Sequence, residues 1–423
     1  MENAKDRQTN VNLYTRYKMF SWDLLFYYAI IFLFFTETKG ISTADVLLAE
    51  SFYPLFKVAF LVPATILINS IGKRNSLIIG NLFVAIAIIT YIIGNSFVFI
   101  VIGELLAAIG LIIKGVCESN LLYDSIEKNE KRGSIFAKIE GKGTSYYYYV
   151  EAISAVLSGF LFAINGYIPM ILCLITTIFS IYLSTKFRSI DENKKIDNKI
   201  IYKEFKELFK SFKLFTKSPR LKNLIFFGAL ISAIILSLTM LRSSIMKDIG
   251  IPSKYFGIIF AIMGLISGIS AKNESRFHKK FKNKTLSRLA IPLVFSCIVL
   301  GITCSINISY SVNVTIVMLV FLIQYIVKGP FYPLIKQYLN NFTTANLRTK
   351  ISSSYNLLEN ILRFVITFFA SNLVRVTTTA NTFTILGCVL GIIVILMLDN
   401  MRTKVGLRPE EYSQKDIKIL ELK

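Results

Sequence analysis

The sequence predicts an all-α polytopic membrane protein of twelve transmembrane helices, arranged as two pseudo-symmetric six-helix halves. Three observations carry this. First, 54% of the 423 residues are hydrophobic and 17% are charged, with a mean hydropathy of +0.57. Many apolar runs reach the roughly 18–20 residues that cross a bilayer as a helix, whereas a transmembrane barrel would show short alternating segments. Second, the basic residues behind the net charge of +22 collect in alternate loops, the pattern of a chain threaded back and forth with its positive loops inside. Third, Lys142, Ser145, Tyr147, Glu151 and Ile153 recur at the same spacing as Lys350, Ser353, Tyr355, Glu359 and Ile361, offset by 208 residues. A weaker echo at nearly the same offset pairs Lys73-Arg74-Asn75-Ser76-Leu77 with Lys282-Asn283-Lys284-Thr285-Leu286. Such half-chain repetition is the trace of an internal duplication, with a site between the halves.

Apolar windows place the spans at 20–36, 46–69, 76–94, 97–117, 145–164 and 167–183 in the first half. In the second they fall at 224–241, 254–271, 289–306, 312–332, 353–374 and 382–398. The chain therefore divides into an N-terminal half (1–184), a linker (185–223), a C-terminal half (224–398) and a tail (399–423). Inner loops hold Lys5, Arg7, Arg16 and Lys18; Lys73 and Arg74; Lys128, Lys131, Arg132, Lys138 and Lys142; Arg276, Lys279, Lys280, Lys282 and Lys284; and Arg348 with Lys350. Outer loops hold fewer charges: Glu37 with Lys39, Arg242 with Lys247 and Asp248, and Arg375. This balance puts both termini in the cytoplasm. The N-terminus lacks the short apolar core and small-residue cleavage site of a leader, so the first span is retained.

In the linker, Ile201, Phe205, Leu208, Phe209, Phe212 and Phe215 share one helical face while Lys203, Lys206, Lys210 and Lys213 take others. This is a helix lying on the inner surface, held by anionic lipids. The positive charge is thereby explained without nucleic acid. The five cysteines fall in apolar runs without metal-ligand spacing and read as small buried hydrophobes. The only histidine, His278, reads as a solvated loop residue. With no metal cluster, no cofactor motif and no phosphate-binding glycine loop, the sequence argues against an enzyme or an energising ATPase.

The stretch Pro63-Ala64-Thr65-Ile66-Leu67-Ile68-Asn69-Ser70-Ile71-Gly72-Lys73-Arg74 joins the second and third spans. With two sets of six spans and inside termini, it resembles the major facilitator superfamily, whose loop motif there is Gly-x-x-x-Asp-Arg-x-Gly-Arg-Arg. Gly72 and Arg74 match and Lys73 keeps the charge, while Thr65, Asn69 and Ser70 replace the first Gly, the Asp and the Arg. The resemblance implies a conformational loop at Asn69, Gly72, Lys73 and Arg74, weakened by loss of the carboxylate, although Asn69 can still hydrogen-bond. Trp22-Asp23-Leu24-Leu25-Phe26-Tyr27-Tyr28 and Leu121-Leu122-Tyr123-Asp124 resemble a bacterial branch of drug and metabolite exporters. The fifth-span glycine-proline signature of drug/proton antiporters is absent; that span has only Gly159 near its middle.

Ionisable residues inside a membrane cost free energy unless paired or hydrated, so each is a functional candidate. Glu151 and Glu359 lead through the repeat, each roughly 10 Å from the inner end of its span at 1.5 Å per residue. They read either as proton-coupling carboxylates or as members of structural pairs, Glu359 with Arg363 four residues on. Lys114 and Glu118 share a face of the fourth span, as a cavity-facing site or a self-satisfied pair, and Glu104 lies deeper. Asp23 reads as functional or as a carboxylate at a helix N-terminus, favoured by the dipole. Glu50 and Lys57 share a face of the second span. In the tenth, Gln324, Lys328, Gly329 and Pro330 interrupt an apolar run, predicting a kink with Lys328 facing the cavity or snorkelling inward. Tyr146 to Tyr149 read as an interfacial belt from which Tyr147 or a neighbour faces the cavity.

Together with the resemblance, these residues imply a secondary transporter rocking two halves about a central site. It would exchange protons for a small amphipathic or toxic compound, as a monomer in a bacterial cell membrane. The alternatives are an uptake permease for a small metabolite and a non-transporting sensor or assembly protein.

Overall fold

The computed structural model describes residues 2–127, 132–190, 219–281, 285–306, 309–341 and 345–402. The expected amphipathic linker helix, Lys128, Lys131, Lys282, Lys284 and the tail beyond 402 lie outside these residues. Every regular element among the described residues is helical. In order they are α1 (Glu2–Ser21), α2 (Thr43–Ile71), α3 (Lys73–Ile93), α4 (Phe97–Ser125), α5 (Arg132–Ile164) and α6 (Tyr167–Thr185). After the linker come α7 (Pro219–Asp248), α8 (Ser253–Lys272), α9 (Thr285–Ser305), α10 (Tyr310–Asn341), α11 (Ala345–Val376) and α12 (Thr379–Arg402). Short helices span Ile31–Leu33, continued by a π-helical turn at Phe34–Thr38, and Glu274–Phe281. The eleven helices α2 to α12 are long and apolar enough to cross a membrane.

Local chemistry sets the boundaries. Ser42 caps α2, accepting from the Asp45 N–H at 3.1 Å, with Asp45 in the first turn where the dipole favours it. Gly72, at φ +80°, closes α2 through its N–H to the Ile68 carbonyl at 3.0 Å and turns the chain directly into α3. Gly250, at φ +81°, ends α7 in the same way, with the Ile251 N–H on the Met246 carbonyl and Pro252 beyond.

The chain divides into two compact units, Met1–Tyr202 with Pro252–Ala261, and Lys203–Ile251 with Ile262–Lys423. In the first, α3 packs on α4 and α6, α2 on α4, and α1 on α5. In the second, α9 packs on α10 and α12, and α7 on α11. Three pairings thus recur six helices apart: α1–α5 with α7–α11, α3–α4 with α9–α10, and α3–α6 with α9–α12. The sequence repeat on α5 and α11 sits in equivalent packing positions.

Small residues allow the closest crossings. A Cβ on Gly110 of α4 would stand 2.6 Å from the Gly80 carbonyl oxygen of α3. In the second unit, a Cβ on Gly301 of α9 would stand 2.5 Å from the Ala380 carbonyl of α12. The outer faces carry large exposed apolar side chains, among them Ile93, Ile164, Leu265, Phe295, Phe369 and Val376, as lipid contact requires. Cys388 of α12, expected to be buried, is exposed on such a face, whereas Cys117, Cys173 and Cys297 are buried.

The expected first span is where the architecture departs from a simple rod. Helix α1 stops at Ser21, residues 22–30 run as turns, and helix resumes only at Ile31. Phe26 sits at φ +62°, a region costly for a side-chain-bearing residue. The break is wrapped in protein: Leu24, Leu25, Tyr27, Ala29 and Ile30 are all buried.

Replacing Gly110 with Ala forces α3 and α4 apart and costs about 1–3 kcal/mol. Gly115→Ala on the same helix meets open space and is neutral. Thermal unfolding in detergent ranks the two variants.

Candidate functional site

The broken first span concentrates polar chemistry. Asp23 follows the C-terminal end of α1, not a helix N-terminus as the dipole reading required, so the adjacent dipole opposes its charge. Local donors hold it instead. The Leu24 N–H donates to its Oδ1 at 2.8 Å, the Tyr28 hydroxyl to the same oxygen at 2.7 Å, and Lys114 and Lys57 attract it electrostatically. The Phe26 N–H, released by the break, reaches Ser154 Oγ of α5 at 3.4 Å. Trp22 packs edge-on against Tyr147 and Tyr148, at 5.0 and 5.2 Å between ring centres. Of the tyrosine run only Tyr147 is buried; Tyr146, Tyr148 and Tyr149 are exposed, as an interfacial belt would be. Both Asp23 and Glu151 lie within electrostatic reach of the Tyr147 hydroxyl. Glu151 itself is half-buried on α5.

Lys114 and Glu118 are each 3% exposed on α4. The expected self-satisfied pair does not form: no ion pair within 4 Å joins them among the described residues. Lys114 instead feels two carboxylates, attracted first by Glu118 and then by Asp23. Glu118 feels Lys18 ahead of Lys114, and its Oε1 is buried without a hydrogen-bond partner. Gly80 makes room for the Lys114 stem. Farther along α4, the buried Glu104 accepts from the Tyr91 hydroxyl at 3.0 Å, and Gly103 leaves the space that the Tyr91 ring fills.

Toward α1 lies a cluster that the sequence reading missed. Glu140 accepts from Lys18 Nζ and the Tyr14 hydroxyl in short hydrogen bonds, and from Ser119 Oγ at 3.1 Å. It ties α1, α4 and α5 together. Burial, then the Glu118 and Glu140 charges, push the Tyr14 phenol well above its usual range, so it stays a donor. Glu140 was hidden because Arg132 to Thr144 reads as a glycine-containing loop, whereas α5 begins at Arg132.

At the turn between α2 and α3, where the resemblance implies a conformational loop, Asn69 is exposed and makes no hydrogen bond among the described residues, so the substitute contact is absent among them. The carboxylate comes from α4 instead. Asp124 pairs with Lys73 at 2.8 Å and with Arg132 at 3.4 Å, while Arg74 donates to the Thr185 carbonyl at 3.0 Å.

The second unit has its own polar interior. Pro330 is buried within a continuous α10. Its missing N–H frees the Ile326 carbonyl, and Ser270 Oγ of α8 donates to that oxygen at 2.7 Å. Glu359 and Arg363 of α11, both half-buried, act on Tyr332 of α10, and the repeat partner Tyr355 hydrogen-bonds Ser232 at 2.7 Å. Lys328 lies over the Tyr325 ring, 5.2 Å from its centre. His278 is no solvated loop residue: it is half-buried on its short helix, with Nδ1 2.7 Å from the Tyr338 hydroxyl. Arg242, expected in an outer loop, is 1% exposed inside α7. Gly250 and Pro252 were the available signal, since they end the helix two turns beyond it. No group of three or more potential metal ligands occurs among the described residues.

A sequence profile described as Major Facilitator Superfamily matches residues 19–367, from α1 through the broken span into α11. The chain belongs to the major facilitator superfamily. It is a multi-pass membrane protein and a secondary transporter. Solved structures share the fold at low identity. The nucleoside transporter NupG aligns with a TM-score of 0.66 and 12% identity, covering 96% of this chain and 100% of that one. A POT family transporter in complex with 5-aminolevulinic acid gives 0.66 and 14%, covering 96% and 97%. A D-xylose-proton symporter gives 0.66 and 12%, covering 96% and 98%. No relative is found among curated proteins.

Glu140→Gln removes the countercharge of a buried ammonium. It lowers stability by about 2–3 kcal/mol, less than for a fully buried pair because Glu140 is 24% exposed. Lys73→Ala at the exposed Asp124 bridge costs about 1 kcal/mol or less. Thermal unfolding of the two variants separates the cases.

Proposed function

We propose that this superfamily member couples proton movement to the export of a small amphipathic compound by alternating access. The observation that carries the reading is the interrupted first span, which gathers Asp23, Lys114 and Glu118 within the membrane-crossing part of the first unit. Non-helical backbone and buried charge at that depth are costly, and transporters use both at binding sites.

In this reading Glu118 takes and releases the proton. Its unpartnered oxygen leaves room for one, and Lys18 and Lys114 hold the ionised form. With Glu118 protonated, Lys114 is freed toward Asp23; with Glu118 ionised, Asp23 is freed toward the solute. Trp22, Tyr147 and Tyr148 supply flat apolar surface beside that carboxylate for an amphipathic or cationic solute. Glu151, on the same wall, is the second coupling candidate, and Glu104 the third. The protein would work as a monomer in a bacterial cell membrane with its termini inside, contacting anionic lipids. A second reading, uptake by symport, is favoured by one neighbour's name, D-xylose-proton symporter.

Purified protein in liposomes with a trapped pH-sensitive dye tests the reading. Amphipathic cations, neutral antibiotics and small sugars are added under an imposed pH gradient. The expected outcome is a proton flux evoked by an amphipathic compound and cut at least about tenfold in Glu118→Gln, as loss of a proton-transfer group does. Full flux in that variant, lost in Glu151→Gln, moves coupling to Glu151. Protons moving with a sugar favour uptake.

A further inference from the structure

Arg242 is the largest fully buried side chain among the described residues. It stands on α7 six residues before the outer end at Asp248, close enough for a long side chain to reach water, as cations near a span's end normally do. It goes the other way. Its Nη2 lies 3.5 Å from the carbonyl of Ile235, seven residues back toward the inner end of the helix. The guanidinium thus lies deeper in the unit than its own backbone.

Nothing there neutralises it. The second unit's acidic groups near this wall are Asp248 on α7 and Glu359 on α11, yet no carboxylate of any described residue comes within 4 Å of the guanidinium. Its contacts are with neutral groups: Gln324 Oε1 of α10 at 3.0 Å, Thr239 Oγ1 at 3.4 Å, and the face of Tyr325 at 4.8 Å. Nε is buried and has no partner. A planar guanidinium offers five N–H donors suited to a bidentate carboxylate, and here only the Gln324 bond is short.

The surroundings are arranged to present the cation. Gln324 is itself 1% exposed and cannot turn freely, because its Nε2 donates to Ser296 Oγ of α9 at 3.1 Å. That bond aims the amide oxygen at Arg242. Lys328 approaches the same Tyr325 ring, adding positive potential. A buried cation held only by neutral dipoles is costly, and the cost is recovered when an anion arrives.

We propose that Arg242, oriented by Gln324 and backed by Tyr325, is a binding subsite in the second unit for the carboxylate of an organic monoanion. The inference rests on the transporter reading and narrows its substrate class: the solute carries an apolar body and one carboxylate.

Thermal unfolding of the full-length protein in detergent tests this, followed with a thiol-reactive dye that reports exposure of the buried cysteines. The probes are sodium acetate, hexanoate and benzoate at neutral pH, against acetamide, hexanamide and benzamide in equal sodium chloride. The wild type is expected to melt at least about 2 °C higher with hexanoate or benzoate, and to ignore the amides. Arg242→Gln loses that shift. Gln324→Glu supplies the missing carboxylate internally, so it melts higher than the wild type without ligand and no longer responds to carboxylates. Equal shifts with acids and amides, no carboxylate shift in the wild type, or a shift retained in Gln324→Glu each overturn the proposal. Proton flux is read separately in liposomes with hexanoate and benzoate added to the panel, protein-free liposomes giving the passive entry of the acids. Flux without a carboxylate shift overturns the subsite alone; a carboxylate shift without flux overturns proton coupling alone.

Discussion

Inside a bilayer no water pairs with exposed backbone amides, so every interruption of a helix must find its hydrogen bonds within the protein. That constraint organises the first unit. Ending α1 at Ser21 releases donors along 22–30, and the rest of the unit closes over them. Asp23 takes one N–H and Ser154 takes another, Ile30 and Ile31 return to the Tyr27 carbonyl, and α5 supplies an aromatic wall. The fold tolerates Phe26 at positive φ because buried neighbours on both sides fix it. Around Asp23 the Tyr28 hydroxyl donates a hydrogen bond and Lys114 sets a positive charge against the dipole at the end of α1.

The same rule governs α10 in a milder form. Pro330 removes one donor, and a single hydroxyl from α8 answers it, so the helix runs on without a break. The two interruptions differ in scale because their causes differ. A proline withdraws one hydrogen bond at a fixed place. The break at 22–30 contains neither proline nor glycine and is held entirely by tertiary contacts.

That difference explains what could be read from the sequence. Spans two to twelve were legible because a bilayer imposes length and apolarity residue by residue, and the duplicated motif falls on α5 and α11, which pack in the matching α1–α5 and α7–α11 pairs. Asp23, Lys114, Glu118 and Gln324 were found because polar residues stand out in apolar runs. The break itself was not legible, since its determinants Ser154 and Tyr147 lie more than a hundred residues away. Glu140 was lost for the opposite reason: Gly133, Gly141 and Gly143 imitate a loop, yet the helix passes through them and Gly143 gives space to the Lys18 stem. Arg242 was misplaced because a positive residue after an apolar run is ordinarily a span's end; Gly250 and Pro252 set the true end two turns later, and the inward direction of the side chain follows from the packing.

The protein contains one tryptophan, and it is Trp22, the first residue of the break. Lys18 lies 5.4 Å from its ring centre, and two tyrosines stand edge-on to it. Light absorbed at the red edge of the aromatic band is therefore emitted from a single place in the molecule. The unlabelled protein carries its own optical gauge of how the interrupted span is seated, and any solute, proton or lipid that disturbs those neighbours changes the colour or yield of that emission.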